Sequence, residues 1–181
     1  MFCQKAWCVS NGQNAPLSPL NLRTERRDRF PVQLAELNIG RLVASKDDPR
    51  VADFMTNLDR INGLGKRMPG FVWMMEGAPG EGNTATAIDG DPQYISNLTV
   101  WETAAQLETF VFDTLHAKFM ARRAEWFAVL GEMHFVMWWV PPGHQPTLSE
   151  ALAKLEYLRA NGDSAEAFGW DYLRANRPAT A

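Results

Sequence analysis

From residue 32 to about residue 160, apolar and polar positions follow strand-like and helix-like periods in a readable order. Residues 32–42 begin VQLAELNI, mixing alternation with an apolar bias, which predicts a strand covered on at least one face. Asp48 is a good helix N-cap and Pro49 fits the first helical position. Val51, Phe54, Met55, Leu58 and Ile61 then recur at helical spacing, and the glycines at 63 and 65 close that helix. Met68-Pro69-Gly70 is a turn. Residues 71–76, FVWMME, predict a strand with Phe71, Trp73 and Met75 on one face. Residues 77–92 are rich in Gly, Pro, Thr and Asp and long for a hairpin connection, so they read as a mobile segment or a lid. YISNLTVW at 94–101 is the next strand. Thr103 and Gln106 make a T-x-x-Q capping pattern that starts a long helix, interrupted or bent around Asp113 and Thr114 and ending near Gly131. Residues 132–140 place His134, Val136 and Trp138 on one face and Met133, Phe135, Met137 and Trp139 on the other. A strand apolar on both faces is central or doubly covered. After Pro141-Pro142-Gly143, Thr147 and Glu150 cap a last helix with Leu148, Ala151, Leu152, Leu155 and Leu158 on its stripe and Gly162 at its end. Residues 167–172 suggest a short edge strand.

Strand, helix, strand, strand, helix, strand is the βαββαβ order of an α+β, ferredoxin-like domain, here with a C-terminal helical appendix. Two helices cover one face of a four-stranded antiparallel sheet. The other face carries Trp, Met, Val and Leu, whose burial is worth about 25 cal/mol per Å². A second copy is the simplest cover, giving a dimeric α/β barrel and a symmetric homodimer. The domain spans residues 32–173. Residues 1–31, without period and rich in polar and turn residues, read as a poorly ordered extension, and residues 174–181 as a tail.

Polar residues on predicted apolar faces mark where chemistry would sit. On one continuous helical wheel, Phe112, Phe119, Met120, Phe127 and Leu130 gather within about 60° of His116. Arg123 falls about 20° from His116, in the same row. A buried arginine without partners costs several kcal/mol, so the pair either lines a cavity or binds buried acceptors. Asn62 lies on the apolar side of the first helix, as a pocket residue or as a cap for backbone groups. The space between helices and sheet is the expected cavity, and Trp73, Asn97, Trp101, Trp126, His134 and Trp138 are its candidate lining, depending on strand face. His144, in the turn after Gly143, either reaches the pocket mouth as a proton-transfer group or fixes the turn.

Composition narrows the classes. The formal net charge is -3 and no basic stripe is present, which argues against nucleic acid as a partner. No run is apolar and long enough for a membrane span, and the first residues lack the order of a secretory signal, so the cytoplasm is the default. Cys3 and Cys8 are the only cysteines, which excludes a disulfide scaffold for the domain. Three scattered histidines give no zinc cluster. Gly77, Gly80 and Gly82 are not followed by the Lys-Ser/Thr of a phosphate loop. Seven tryptophans and eight methionines suit an adaptable apolar interior or interface.

The runs QLAELNIGRL, DDPRVADFMTNLDRIN, PGFVWMM, SNLTVWET, FVFDTLHAKFMARRAEWF, WWVPPGHQPTLSEAL and AFGW resemble a bacterial family, domain of unknown function 3291, from Gln33 to about Trp170. H-x6-R-x2-WF followed by WWVPPGHxPT is its specific signature, placing His116, Arg123, Trp126, Trp138, Trp139, Gly143, His144 and Pro146 at motif positions. Gly169-Trp170 departs from the Thr-Phe-like pair common there. The resemblance implies the dimeric α/β-barrel superfamily, which also holds antibiotic-biosynthesis monooxygenases and heme-degrading enzymes, and implies no particular reaction. Asn62, Trp73 and His116 do not match the heme-degrading Asn, Trp and His residue by residue. Three functions follow as expectations. The first is a cofactor-free monooxygenase or isomerase acting on a small apolar or aromatic substrate, Arg123 holding an anionic oxygen and His116 moving a proton. The second is a heme-binding protein with His116, His134 or His144 as axial ligand. The third is a non-catalytic small-molecule-binding or structural dimer.

Overall fold

The structure, a computed structural model, describes residues 32–77, 88 and 90–176. The expected extension at 1–31, most of the loop at 77–92 and the last five residues lie outside it. Strand β1 (Gln33–Arg41) leads through a 3-10 turn at Pro49–Val51 into helix α1 (Ala52–Gly65), then β2 (Phe71–Met74) and β3 (Tyr94–Trp101). Helices α2 (Ala104–Asp113) and α3 (Leu115–Ala121), a 3-10 turn at Arg123–Glu125, strand β4 (Phe135–Val140), α4 (Leu148–Asn161) and α5 (Trp170–Ala175) follow. The four strands form one sheet in the order β2-β3-β1-β4 with every neighbouring pair antiparallel. That is the ferredoxin-like arrangement the element order predicts.

The local signals act where expected. Asp48 accepts the Arg50 backbone N–H at 2.9 Å with Pro49 following it. Thr103 and Thr147 each accept the backbone N–H three residues on, from Gln106 and Glu150. Gly162 takes φ 72° and donates its N–H to Leu158 O at 2.8 Å, ending α4.

Both faces of the sheet are covered. On the first, Leu34, Trp101 and Met137 pack with Ile61 of α1, Leu107, Phe110 and Val111 of α2, and Leu173 of α5. On the second, Ala35, Leu37, Val136, Trp138 and Val140 pack with Ala151, Leu155 and Leu158 of α4. The expectation that a second copy is the simplest cover for this face is therefore corrected for its β1–β4 half. The C-terminal helix lies there because its leucine stripe is the nearest apolar partner. β4 stands at the sheet edge yet is covered on both faces, as its pattern required. Its outer side meets a single bridge, Met137 with Phe168, instead of the expected edge strand at 167–172, because α5 starts two residues later.

The expected helix ending near Gly131 is two helices and a 3-10 turn. Thr114 makes the break: its hydroxyl donates to Phe110 O at 2.6 Å and accepts the His116 N–H at 3.1 Å. One side chain thus serves the C-terminus of α2 and the N-terminus of α3. The segment then runs beside the end of β1, with Val43 N–H on Trp126 O and Ala128 N–H on Arg41 O. There the Phe127 ring rests on Gly40, where an added Cβ would lie 2.7 Å from it.

Candidate functional site

Strand alternation puts Leu34, Glu36 and Asn38 of β1 on the face covered by α1 and α2, with Thr99 and Met137 beside Glu36. Glu36 is buried, 7% exposed. Its Oε2 accepts the Thr99 hydroxyl at 2.9 Å, and Thr99 Oγ1 in turn accepts the Trp101 indole N–H at 3.0 Å. Burial pushes the Glu36 carboxyl up to about 8, against the smaller opposing effect of the Thr99 hydrogen bond. At neutral pH it is mostly a neutral acid. Oε1 makes no hydrogen bond with a described side chain, and it is not sealed: the one described buried side-chain polar atom closed off without a partner is Ser96 Oγ. Strand period makes Glu36 look like the wet side of an alternating pattern. The signal that would have found it is that β1, pairing on both sides, must also be covered above and below.

His116 opens α3 and is half-buried. Its Nδ1 lies 3.2 Å from Val111 O, and its ring packs 4.9 Å from that of Phe110, which stacks on Trp101 at 5.3 Å. A carbonyl only accepts, so Nδ1 carries the hydrogen and Nε2 keeps a lone pair. Desolvation lowers the His116 pKa, outweighing the bond to Val111, and holds the ring neutral around pH 7. Nε2 has no hydrogen-bond partner among the described residues. A packed path thus leads from His116 through Phe110 and Trp101 to Thr99 and Glu36.

The other expected residues divide. Asn62, 8% exposed, is in α1, and Asn97 and Trp101 share the Glu36 face of β3. Trp126 is buried farther along the helix-covered side among Leu42, Val51 and Ile95, stacked on Phe119 at 5.6 Å. Trp73 and Trp138 belong to the opposite face, in the cluster with α4. A β-bulge between Phe71 and Trp73 contributes by shifting the register of β2. The row joining His116 to Arg123 does not exist. The wheel assumed one uninterrupted helix through both residues, whereas α3 ends at Ala121 and the chain passes through Arg122 into the 3-10 turn, which advances about 120° per residue. Arg123 is exposed and donates to Met120 O at 3.2 Å. Its neighbour Arg122 bridges Asp53 of α1 and Glu125 at 2.8 and 2.7 Å, 4.6 Å above the Trp126 ring centre. His144 is also exposed, its Nε2 2.9 Å from Glu150 Oε2, while Trp138 donates to Glu150 Oε1 at 3.3 Å. His134 is exposed just before β4, its own carbonyl accepting the Ile39 N–H at 2.9 Å. Among the described residues no three His, Cys, Asp or Glu side chains are grouped to hold a metal ion.

Known proteins resemble this chain in fold and in sequence. Among solved structures the chain is similar to a conserved protein from Methanosarcina mazei Go1, at 9% identity and TM-score 0.44, over 61% of this chain and 93% of that one. It is similar to SnoaB, a cofactor-independent oxygenase from Streptomyces nogalater, at 13% identity and TM-score 0.41, over 65% and 98%. A protein of unknown function from Nitrosomonas europaea is similar at 12% identity and TM-score 0.42, over 65% and 96%. No curated protein matches the chain. The model of the family described as domain of unknown function (DUF3291) matches residues 33–180. With that match running from the first residue of β1 to beyond the end of α5, the chain belongs to the DUF3291 family.

Proposed function

We propose that the protein is a small-molecule enzyme whose site is the layer between α1–α3 and the sheet. It takes an apolar or aromatic substrate, with His116 as the proton acceptor. The observation that carries this reading is the state of His116: Nδ1 held by Val111 O, the ring fixed against Phe110, and Nε2 unengaged on a neutral imidazole. Cofactor-free oxygenation and isomerisation both begin by removing a proton from the substrate, which is what such a group does. Arg123, on the surface, has no part in it. The test is exchange of deuterium from the carbon beside the carbonyl of aryl ketones, together with oxygen uptake on phenols and hydroquinones. His116→Ala, folded by circular dichroism, is expected to lose about 10²–10⁴-fold in rate. Undiminished turnover in that variant overturns the assignment.

A second copy of the chain is the proposed partner. Supporting it, Val72, Trp73, Met75 and Tyr94 are only partly buried on the β2–β3 half of the second face. Beside them a depression of about 400 Å³ is lined by Lys66, Phe71, Val72, Trp73, Met74 and Glu76. Sedimentation should show a dimer that Trp73→Glu weakens; a monomer at all concentrations rejects it.

A further inference from the structure

We propose that Glu36 is the group that recognises the ligand in this layer: its Oε1 carries a proton and donates it in a hydrogen bond to the carbonyl oxygen of an apolar aryl ketone. The proposal rests on the reading of the layer as a small-molecule site and adds to it the chemistry of the ligand.

The direction of the hydrogen bonds fixes where the proton is. An indole N–H only donates, so the Trp101 bond makes Thr99 Oγ1 an acceptor. The hydroxyl has one hydrogen, and it goes to Glu36 Oε2. Oε2 therefore acts as the carbonyl-like oxygen of the acid, and the acidic proton is left on Oε1. That oxygen has no hydrogen-bond partner among the described side chains and is not closed off. A ligand oxygen would supply the acceptor that no described side chain provides.

The surroundings set the ligand's body. Leu34 and Trp101 lie on the same face at the neighbouring register position, Met137 flanks Glu36, and Phe110 closes on Trp101 from α2. These neighbours are apolar or aromatic, so a ligand that meets Oε1 beside them would have a flat apolar or aromatic frame. A carboxylate ligand is disfavoured, because no arginine or lysine is buried among the described residues.

Charges around the site leave Glu36 as the titrating group in the range from neutral to mildly basic pH. On the covering helices Asp53, Asp59, Arg60, Asp113 and Lys118 are exposed, and Glu108 faces Arg174 at 3.5 Å. His116 is pushed down by burial and is already neutral in that range. From the sheet side Thr99, Asn97, Asn38 and Met137 carry no charge.

The test compares 1-tetralone with tetralin, the same frame without the oxygen, by calorimetry on the full-length protein. The wild type is expected to prefer 1-tetralone by about tenfold at about pH 6.5. The preference should vanish at about pH 9.5, where Glu36 is ionised and has no proton to donate. Glu36→Met should lose the preference at both values, and Glu36→Gln, whose amide still donates, should keep part of it. The infrared carbonyl band of the protonated Glu36, identified by its absence in Glu36→Gln, should shift with 1-tetralone and not with tetralin. If Glu36→Met does not fold, the pH profile and the infrared band decide the matter on the wild type. No binding of 1-tetralone, equal binding of the two compounds, or a preference that survives in Glu36→Met overturns the proposal. The enzymatic reading fails separately: ketone held through Glu36 with no deuterium exchange sinks that reading alone, and exchange that is indifferent to Glu36 sinks this one alone.

Discussion

Glu36 makes the folded chain sensitive to pH in a direction opposite to that of a paired surface carboxylate. Its pKa rises from an ordinary 4.5 to about 8 on burial, so between those values the native state holds a proton that the unfolded chain has released. Stability from this group is complete below about pH 4.5 and is lost as pH rises through about 8, a total of roughly 5 kcal/mol at most. Denaturant midpoints measured from about pH 5 to about pH 9 should fall for the wild type and stay nearly level for Glu36→Gln. A wild-type profile as flat as the variant's would mean that the carboxyl is not held protonated. His116 works the other way, its lowered pKa costing stability only as pH falls below its ordinary range. The sequence made His116 conspicuous, a histidine among phenylalanines, and left Glu36 inconspicuous. Periodicity tells which face a strand residue takes, while coverage of that face depends on partners distant in the chain.

Thr114 shows how an element boundary decides which residues meet. Asp113 and Thr114 are legible in the sequence as a place where the helix bends, but the size of the interruption is not, because it depends on a hydroxyl bonding in both directions. Every angular relation across that point is then void, as between Phe112 and His116, and His116 and Arg123 part at a second boundary, where α3 ends at Ala121 and the 3-10 turn begins at Arg123. The caps at Asp48, Thr103 and Thr147 were readable for the opposite reason: each is a short-range bond set by residues within three positions. Thr114→Ala removes the acceptor of the His116 N–H and the donor to Phe110 O together. It should cost about 1–2 kcal/mol in chemical denaturation. It should also shift the His116 titration followed by NMR, since the start of α3 positions the ring. An unchanged stability and an unchanged titration would show that α2 and α3 hold their geometry without it.

At the scale of the whole described domain, the order of strands and helices was legible because each element has its own period, and the sheet order follows from unknotted connections in the βαββαβ order. What could not be read was the destination of α4. An amphipathic helix after the last strand can pack on either face, or on another chain, and its leucine stripe looks the same in each case. No helix among the described residues is long and apolar enough to cross a membrane.

The placement of α4 has a consequence for how the domain opens. β1 is paired on both sides, by β3 and β4, and has helices above and below it, whereas β2 has a neighbour on one side only. Amide protons of β1 can reach solvent only when the helix layers and both neighbouring strands come apart. Hydrogen–deuterium exchange should therefore find Leu34 to Ile39 the slowest part of the chain, exchanging at the rate set by global unfolding, with Phe71 to Met74 far faster. Leucine-to-alanine change at Leu155 should accelerate exchange in β1 and β4 together, and an effect confined to α4 would show that the helix detaches on its own. Because Glu36 sits in the middle of that strand, its backbone amide should exchange among the slowest, while its Oε1, which is not closed off, needs no movement of the sheet to meet a ligand.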